Sequence, residues 1–277
     1  MRHLIAFLFR ILFKSKSLKH TYFGFYKKIF YPFNIFKGVR KRVIYRNKII
    51  LILDIDDWIQ QNLYFLNEYE EKEIKFVESY LTKGDIFIDI GANIGLFSLV
   101  ASNQVGGAGV VYAFEPINNN YNKLTNHIRI NDMNNIIAEK LAVSDNQNIL
   151  KFYINEHEKD SGMATNYSDK YTSTENVSST SLDLYFTNKE LGRVRLIKID
   201  IEGGEYSALI GMQEILKTHK PVLLIEINPD TPHGQKSIES FLSDLGYAKY
   251  FLDNNGFLIN NRLPEDQSNN YLFCYTL

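Results

Sequence analysis

Apolar and polar positions fall into a regular series from residue 49 onward. "KIILILDI" (48–55) reads as a strand, and "NEYEEKEIKFVESYL" (67–81) as an amphipathic helix with Ile74, Val77 and Leu81 at i, i+3 and i+7. "KGDIFIDIG" is a continuous apolar run that stops at a glycine, and "IGLFSLVASNQ" continues it as a helix. "GVVYAFEP" is a second buried strand, "NNNYNKLTNHIRIN" a helix through Tyr121, Leu124 and Ile128, and "IIAEKLAVSD" (136–145) a third strand. Strands alternating with helices predict a parallel sheet covered on both faces.

The alternation breaks at 155–181, "NEHEKDSGMATNYSDKYTSTENVSSTS", where large aliphatics almost vanish. That composition predicts an exposed excursion able to act as a lid. Its two Asn-x-Ser matches, at Asn166 and Asn176, carry no weight in a chain without an export signal. The pattern resumes with the strand and glycine turn "VRLIKIDIEGG" (194–204), one helix "EYSALIGMQEILK" with Leu209, Met212 and Leu216 on a face, and the strand "PVLLIEINP". "SIESFLSDLGY" groups Ile238, Phe241, Leu242 and Leu245 on a last helix; "AKYFL", "DNNG", "FLIN" and "NYLFCYTL" then predict antiparallel strands closing the sheet. No internal repeat interrupts the series.

Composition adds an asymmetry. The chain has 277 residues and a formal net charge of −1, yet residues 1–48 hold 13 of its 31 Lys and Arg and no Asp or Glu, leaving 18 basic against 32 acidic residues afterwards. A basic N-terminal extension (1–48) is therefore set apart from one domain (49–277) that carries the 155–181 insertion. "LIAFLFRILF" (4–13) is too short to span a bilayer, is interrupted by Arg10, and lacks a small-residue cleavage signature. The following run interleaves Phe and Tyr with Lys and Arg. Two readings of it stay open on equal terms: an aromatic cap packed on the main domain with solvated lysines, and peripheral contact with an anionic membrane; nucleic acid ranks below both. Cys274 is the single cysteine, which excludes an intrachain disulfide and fits a core strand position in a reducing compartment. The corresponding expectation is a cytoplasmic protein, with the inner face of the membrane as its place of peripheral contact.

Ligands of open parallel sheets bind beyond the carboxyl ends of the strands. Those ends are acidic here: Asp89, Glu115, Asp145, Asp200 with Glu202, and Glu226. Gly91 and Gly95 allow a tight strand-to-helix turn against which a ligand can lie. Their G-x-x-x-G spacing is neither the G-x-G-x-x-G of a dinucleotide site nor a phosphate loop, and Asp89 at the mouth repels an anion while suiting an ammonium or sulfonium. Asp89 can equally pin the glycine loop by accepting its amides. Glu115, about twenty residues beyond the turn, suits ribose hydroxyls. A nucleoside with a positively charged tail, such as S-adenosylmethionine, meets all three demands.

The series "FIDIGANIGLFS", "VYAFEP", "LAVSD", "SLDLY", "LIKIDIEGGEYSALIG" and "LIEINP" resembles the FkbM-type methyltransferases from about residue 67 to the C-terminus, with Gly204 where that family often has alanine. The resemblance implies a Rossmann-like class I methyltransferase fold: an α/β, mostly parallel seven-stranded sheet with helices on both faces and an antiparallel C-terminal strand. It implies that Asp89, Gly91, Asn93 and Gly95 face the methionine part of S-adenosylmethionine, that Glu115 meets the ribose, and that Asp145 lies near the adenine edge, where a turn-forming role competes. It further implies that Asp200 and Glu202 border the methyl group and the acceptor.

A hydroxyl acceptor must lose a proton as it attacks, and Asp200, Glu202 or Glu226 can take it. Asp200 leads, ahead of its alternative as a helix N-cap. Asp200, Glu226 and Asn228 could instead hold a divalent cation, which the reading disfavours. His157 and His233 fall in loops near the expected site and could serve as bases, although single loop histidines are more often solvated bystanders. The expected activity is O-methylation of a glycan or secondary-metabolite acceptor. A nicotinamide-dependent oxidoreductase and a non-enzymatic membrane- or glycan-associated adaptor are the alternatives.

Overall fold

The aromatic residues of the N-terminal segment find partners near to hand. In the computed structural model, which describes residues 1–154, 164–165, 171–228 and 234–276, helices α1 (Arg2–Phe13), α2 (Lys16–Lys19) and α3 (Tyr22–Phe25) lead into a π-helical turn, Tyr26–Phe30. The Phe13 ring lies 5.3 Å from Tyr22 and 5.8 Å from Phe65, and Phe30 lies 4.9 Å from both Phe9 and Phe36. Such edge-to-face and tilted contacts are favourable aromatic geometries.

An antiparallel hairpin follows, β1 (Arg40–Tyr45) with β2 (Ile49–Asp54), turning through Arg46 and Asn47 in left-handed conformation. Ile49, Leu51 and Leu53 alternate inward. Helix α4 (Trp58–Phe65) is capped by the Asp57 carboxylate, which accepts the Gln60 amide at 2.9 Å. Together these elements are one compact unit, Met1–Glu70. The strand at 48–55 thus pairs with residue 45 and its predecessors instead of opening the larger domain at 49 as the charge boundary suggests. Charge changes at residue 48, but the inward faces of the hairpin and α4 tie the chain together as far as residue 70.

The second unit comprises the described residues from Glu71 onward. Helix α5 (Glu71–Tyr80) precedes β3 (Ile86–Ile90), α6 (Leu96–Val105), β4 (Val110–Phe114), α7 (Asn118–Ile130) and β5 (Ile136–Glu139). Strands β3, β4 and β5 are parallel and in sequence order across the sheet. After β5 the predicted third strand divides: β6 (Ala142–Val143) joins β7 (Ile149–Ile154), β8 (Ala164–Thr165) and β9 (Ser173–Thr180) in a separate four-stranded sheet. The end of the predicted excursion is therefore an ordered strand, with Val177, Ser179 and Thr180 buried. Its alternation is built mostly from Ser and Thr, which composition alone reads as loop. Residues 155–163 and 166–170 lie outside the described set, and with them His157 and Asn166.

Helix α8 (Leu182–Phe186) leads to β10 (Val194–Ile199), then α9 (Glu205–Ile210), α10 (Gln213–His219), β11 (Val222–Glu226), α11 (Gln235–Asp244), β12 (Tyr247–Leu252), β13 (Leu258–Ile259) and β14 (Asn270–Tyr275). The main sheet runs β13-β12-β14-β11-β10-β3-β4-β5, with β14 antiparallel to both of its neighbours. This is the expected seven-stranded sheet with an antiparallel C-terminal strand, plus a two-residue edge strand. One face packs Ile88, Ile199 and Leu223 against Leu209, Leu216 and Leu242. Cys274 sits half-buried in β14, its thiol pushed up to about 11 by burial.

The single helix expected at 205–217 is two, broken at Gly211 and Met212. A Cβ at Gly211 would lie 1.9 Å from the Ser144 carbonyl oxygen. Past the break, Asp183 accepts the amides of Glu214 and Ile215 at 3.0 and 3.1 Å, giving α10 its own cap from another element. The apolar spacing is helical on both sides of the break, so periodicity cannot show it. Gly211→Ala is expected to destabilise the protein by about 1–3 kcal/mol, since backbone must move; urea denaturation measures it, and an unchanged midpoint contradicts this account of the break.

Candidate functional site

Parallel register places two charged residues side by side. Asp89 of β3 pairs with Lys198 of β10, and the flanking pairs Ile88 with Ile197 and Ile90 with Ile199 are apolar. Asp89 is 1% exposed and Lys198 5%, so each needs compensation for lost hydration. Lys198 Nζ donates to Asp200 Oδ2 at 2.8 Å and lies 4.7 Å from the centre of the Phe97 ring. The Ser98 hydroxyl donates to Asp89 Oδ2 at 2.6 Å. Burial raises the Asp89 pKa, against the opposing pull of Lys198 and Ser98. Asp89 therefore ties β3 to the first turn of α6 through Ser98. Its Oδ1 is buried with no hydrogen-bond partner among the described residues.

The loop after β3 is shaped by what surrounds it. Gly91 has φ 83°, and a Cβ there would lie 1.8 Å from the Asp200 carbonyl oxygen. Its amide and that of Ala92 both donate to the Phe114 carbonyl, at 2.9 and 3.0 Å. Gly95, at φ 93°, is the N-cap of α6, and a Cβ would meet Leu124 Cδ1 at 2.6 Å. The two glycines therefore admit close approach by β10 and α7 as well as the turn itself. Asn93 between them is left-handed, and its buried Oδ1 also lacks a partner among the described residues.

Glu115, 4% exposed at the end of β4, accepts the Asn93 amide at 2.8 Å and the Ile117 amide at 2.8 Å. Burial pushes its carboxyl up to about 7, against the two amides that favour the charged form. Each carboxylate oxygen offers two acceptor sites, so both retain capacity for another donor.

Asp200 carries a carboxylate held below its usual range: burial opposes ionisation, but the Lys198 ammonium and a hydrogen bond from Glu226 outweigh it. A carboxylate oxygen of Asp200 and one of Glu226 lie within 4.8 Å of each other, so the two form a close pair. Asp200 does not cap α9. Gly204 occupies the N-cap without a side-chain bond, and Glu205 takes the turn's amides, accepting Gly203 N at 2.9 Å. Glu202 stands in this turn in left-handed conformation, φ 53°.

Asp145 falls elsewhere. The third strand of the main sheet ends at Glu139, which accepts the Tyr185 hydroxyl at 2.6 Å. Asp145 follows β6 of the side sheet, exposed, and accepts the Ser144 hydroxyl at 3.1 Å. The expected place at the end of the third strand is therefore corrected, because the chain leaves the main sheet at Lys140. His233 lies outside the described residues.

Sequence reasoning missed Lys198, Ser98 and Glu205. Lys198 had a readable signal, a charge inside the apolar run "LIKI", at the position matching Asp in "IFIDI".

The raised carboxyl of Glu115 has a pH consequence. Folded, it binds its proton up to about 7; unfolded, only up to 4.5. The folded state therefore holds more protons in that window, and stability falls as pH rises through it by about 3 kcal/mol from this group. Urea melts across pH 4.5 to 7 should show that loss in the wild type and lose it in Glu115→Gln; parallel profiles contradict the assignment.

A family model described as the methyltransferase FkbM domain matches residues 89–249. Among solved structures, the FkbM methyltransferase of Methylobacillus flagellatus KT matches with TM-score 0.51 at 18% identity, covering 79% of this chain and 55% of that one. The chain thus spans about half the length of that relative. A SAM-dependent O-methyltransferase of Thermotoga maritima (TM-score 0.43, 13% identity, 74% and 64% covered) is more distant. So is Aeropyrum pernix fibrillarin with bound S-adenosyl-L-methionine (TM-score 0.42, 12% identity, 73% and 72% covered). No curated protein matches the chain. The family match covers more than half of the sequence and includes every strand-end carboxylate described above: the chain belongs to the FkbM methyltransferase family.

Proposed function

We propose that the protein is an S-adenosylmethionine-dependent methyltransferase acting on a hydroxyl of a glycan or secondary-metabolite acceptor. The observation that carries this reading is the carboxyl edge of the central strands, where Asp89 Oδ1 and Asn93 Oδ1 are buried without partners among the described residues, beside the Asp200–Glu226 pair. Unpaired buried acceptors are costly unless a ligand donates to them. The ammonium of the methionine part is such a donor, so the residues fit the cofactor.

Bound S-adenosylmethionine supplies a methyl group on a positively charged sulfur, open to in-line displacement. Asp89, Gly91, Asn93 and Gly95 would hold its methionine part and Glu115 its ribose. Asp200 acts on the acceptor. Held ionised by Lys198, it accepts a hydrogen bond from the acceptor hydroxyl and takes the proton as the oxygen attacks, with the Glu226 carboxyl close beside it. A low carboxylate pKa makes a weak base, so orientation of the hydroxyl carries more of the rate than proton affinity does. Glu202, on the same turn, would border the acceptor.

Calorimetric titration of S-adenosylhomocysteine should show binding that nicotinamide dinucleotide does not displace, weakened roughly ten- to a hundredfold in Glu115→Ala. With an acceptor in hand, Asp200→Asn should lower turnover on the order of a hundredfold or more at little cost in S-adenosylhomocysteine affinity. Absence of wild-type binding overturns the proposal; unchanged turnover in Asp200→Asn overturns the role given to Asp200 alone.

A further inference from the structure

We propose that the outward face of α1 is a docking surface for an anionic lipid bilayer. The helix is apolar on two opposite sides, and only one has partners in the unit Met1–Glu70. Ala6 and Phe13 are buried, and Phe9 stacks with Phe13 at 5.7 Å. The other side presents Leu4, Phe7, Leu8 and Ile11, exposed to 62, 54, 56 and 53%. Their spacing of three, one and three residues makes one continuous stripe along the helix. Scattered apolar residues need no explanation, but a contiguous stripe does.

Charge decides the occupant. Residues 1–48 contain 13 Lys and Arg and no acid. Lys14, the C-cap of α1, stands one turn past Ile11 at one end of the stripe, while Arg2 on the other side of the helix donates to the Lys37 carbonyl at 2.9 Å. Of the five acids that the unit adds after residue 48, four are paired, Asp54 with Arg40, Asp56 with the Gly38 amide, Asp57 with the Gln60 amide and Glu68 with Lys19, and the fifth, Glu70, is half-buried. Exposed Lys27 and Lys28 remain as free-standing charge beside exposed Phe23, over whose ring Lys27 Nζ lies at 4.4 Å. Apolar residues shallowly immersed, with lysine and arginine at headgroup level, match an interfacial helix. A protein partner would have to be acidic and apolar at once; an anionic bilayer is both. No helix among the described residues is long and apolar enough to cross a membrane, so α1 lies in the interface.

The test is sedimentation of the full chain with vesicles of phosphatidylcholine alone and of phosphatidylcholine with phosphatidylglycerol. The wild type should partition onto the anionic vesicles, less so at high salt, and weakly onto neutral ones. Phe7→Glu with Ile11→Glu should lower that partitioning on the order of ten- to a hundredfold while circular dichroism and S-adenosylhomocysteine affinity stay as in the wild type. Should the glutamates disturb folding, Leu4→Ser with Leu8→Ser makes the same comparison more gently. No partitioning of the wild type, or equal partitioning onto neutral and anionic vesicles, overturns the proposal. Self-association that the variants abolish, without vesicle binding, overturns it in favour of a second copy of the chain.

Discussion

One lysine holds the centre of the main sheet together electrostatically. Lys198 lies in register beside Asp89 and two residues before Asp200, between the apolar residues Ile197 and Ile199. Without its ammonium, two carboxylates would meet at the carboxyl edge of the sheet with little water to screen them, and repulsion would favour protonation or separation. With it, Asp200 stays ionised beside Glu226. The glycine loop depends on the same place: Gly91 must lack a side chain because the Asp200 backbone passes where its Cβ would be. Charge, close approach and loop shape are thus one constraint seen from three residues.

The sheet and most of its helices were legible because their apolar periods are long and regular, from Ile86 through Leu252. The site was legible in part, because carboxylates at strand ends are a positional signal: Asp89, Glu115 and Asp200 all stand there. What escaped depended on contacts between distant segments. The break at Gly211 is imposed by Ser144 and Asp183, neither of which lies in the window that sets helical periodicity. The departure of the chain from the main sheet after Glu139, which leaves Asp145 on the side sheet, follows from pairing between β6 and β9, some 37 residues apart in Ala142 and Ser179. Glu205 was hidden differently. Its sequence neighbourhood offers three acids within six positions, and only the fold shows that Glu205 binds the turn while Asp200 does not cap the helix.

The N-terminal unit answers one question that composition left open. Its aromatic rings pack on one another and on Trp58 and Phe65 of the same unit, so they form a small core of their own. A core of stacked rings burying only one side of α1 explains why so much apolar and basic surface remains outside it. The proposed methyl transfer and the proposed surface attachment would then be carried by separate segments, each with its own stabilising interactions.

A crystal structure of the protein with S-adenosylhomocysteine would show where the ligand's nucleoside lies. The prediction is a ribose diol hydrogen-bonded to Glu115 and a methionyl end on Asn93 and the Gly91 turn, with the sulfur facing Asp200 and Glu226. A ligand whose ribose sits on another carboxylate, or whose sulfur lies away from the Asp200–Glu226 pair, would contradict it.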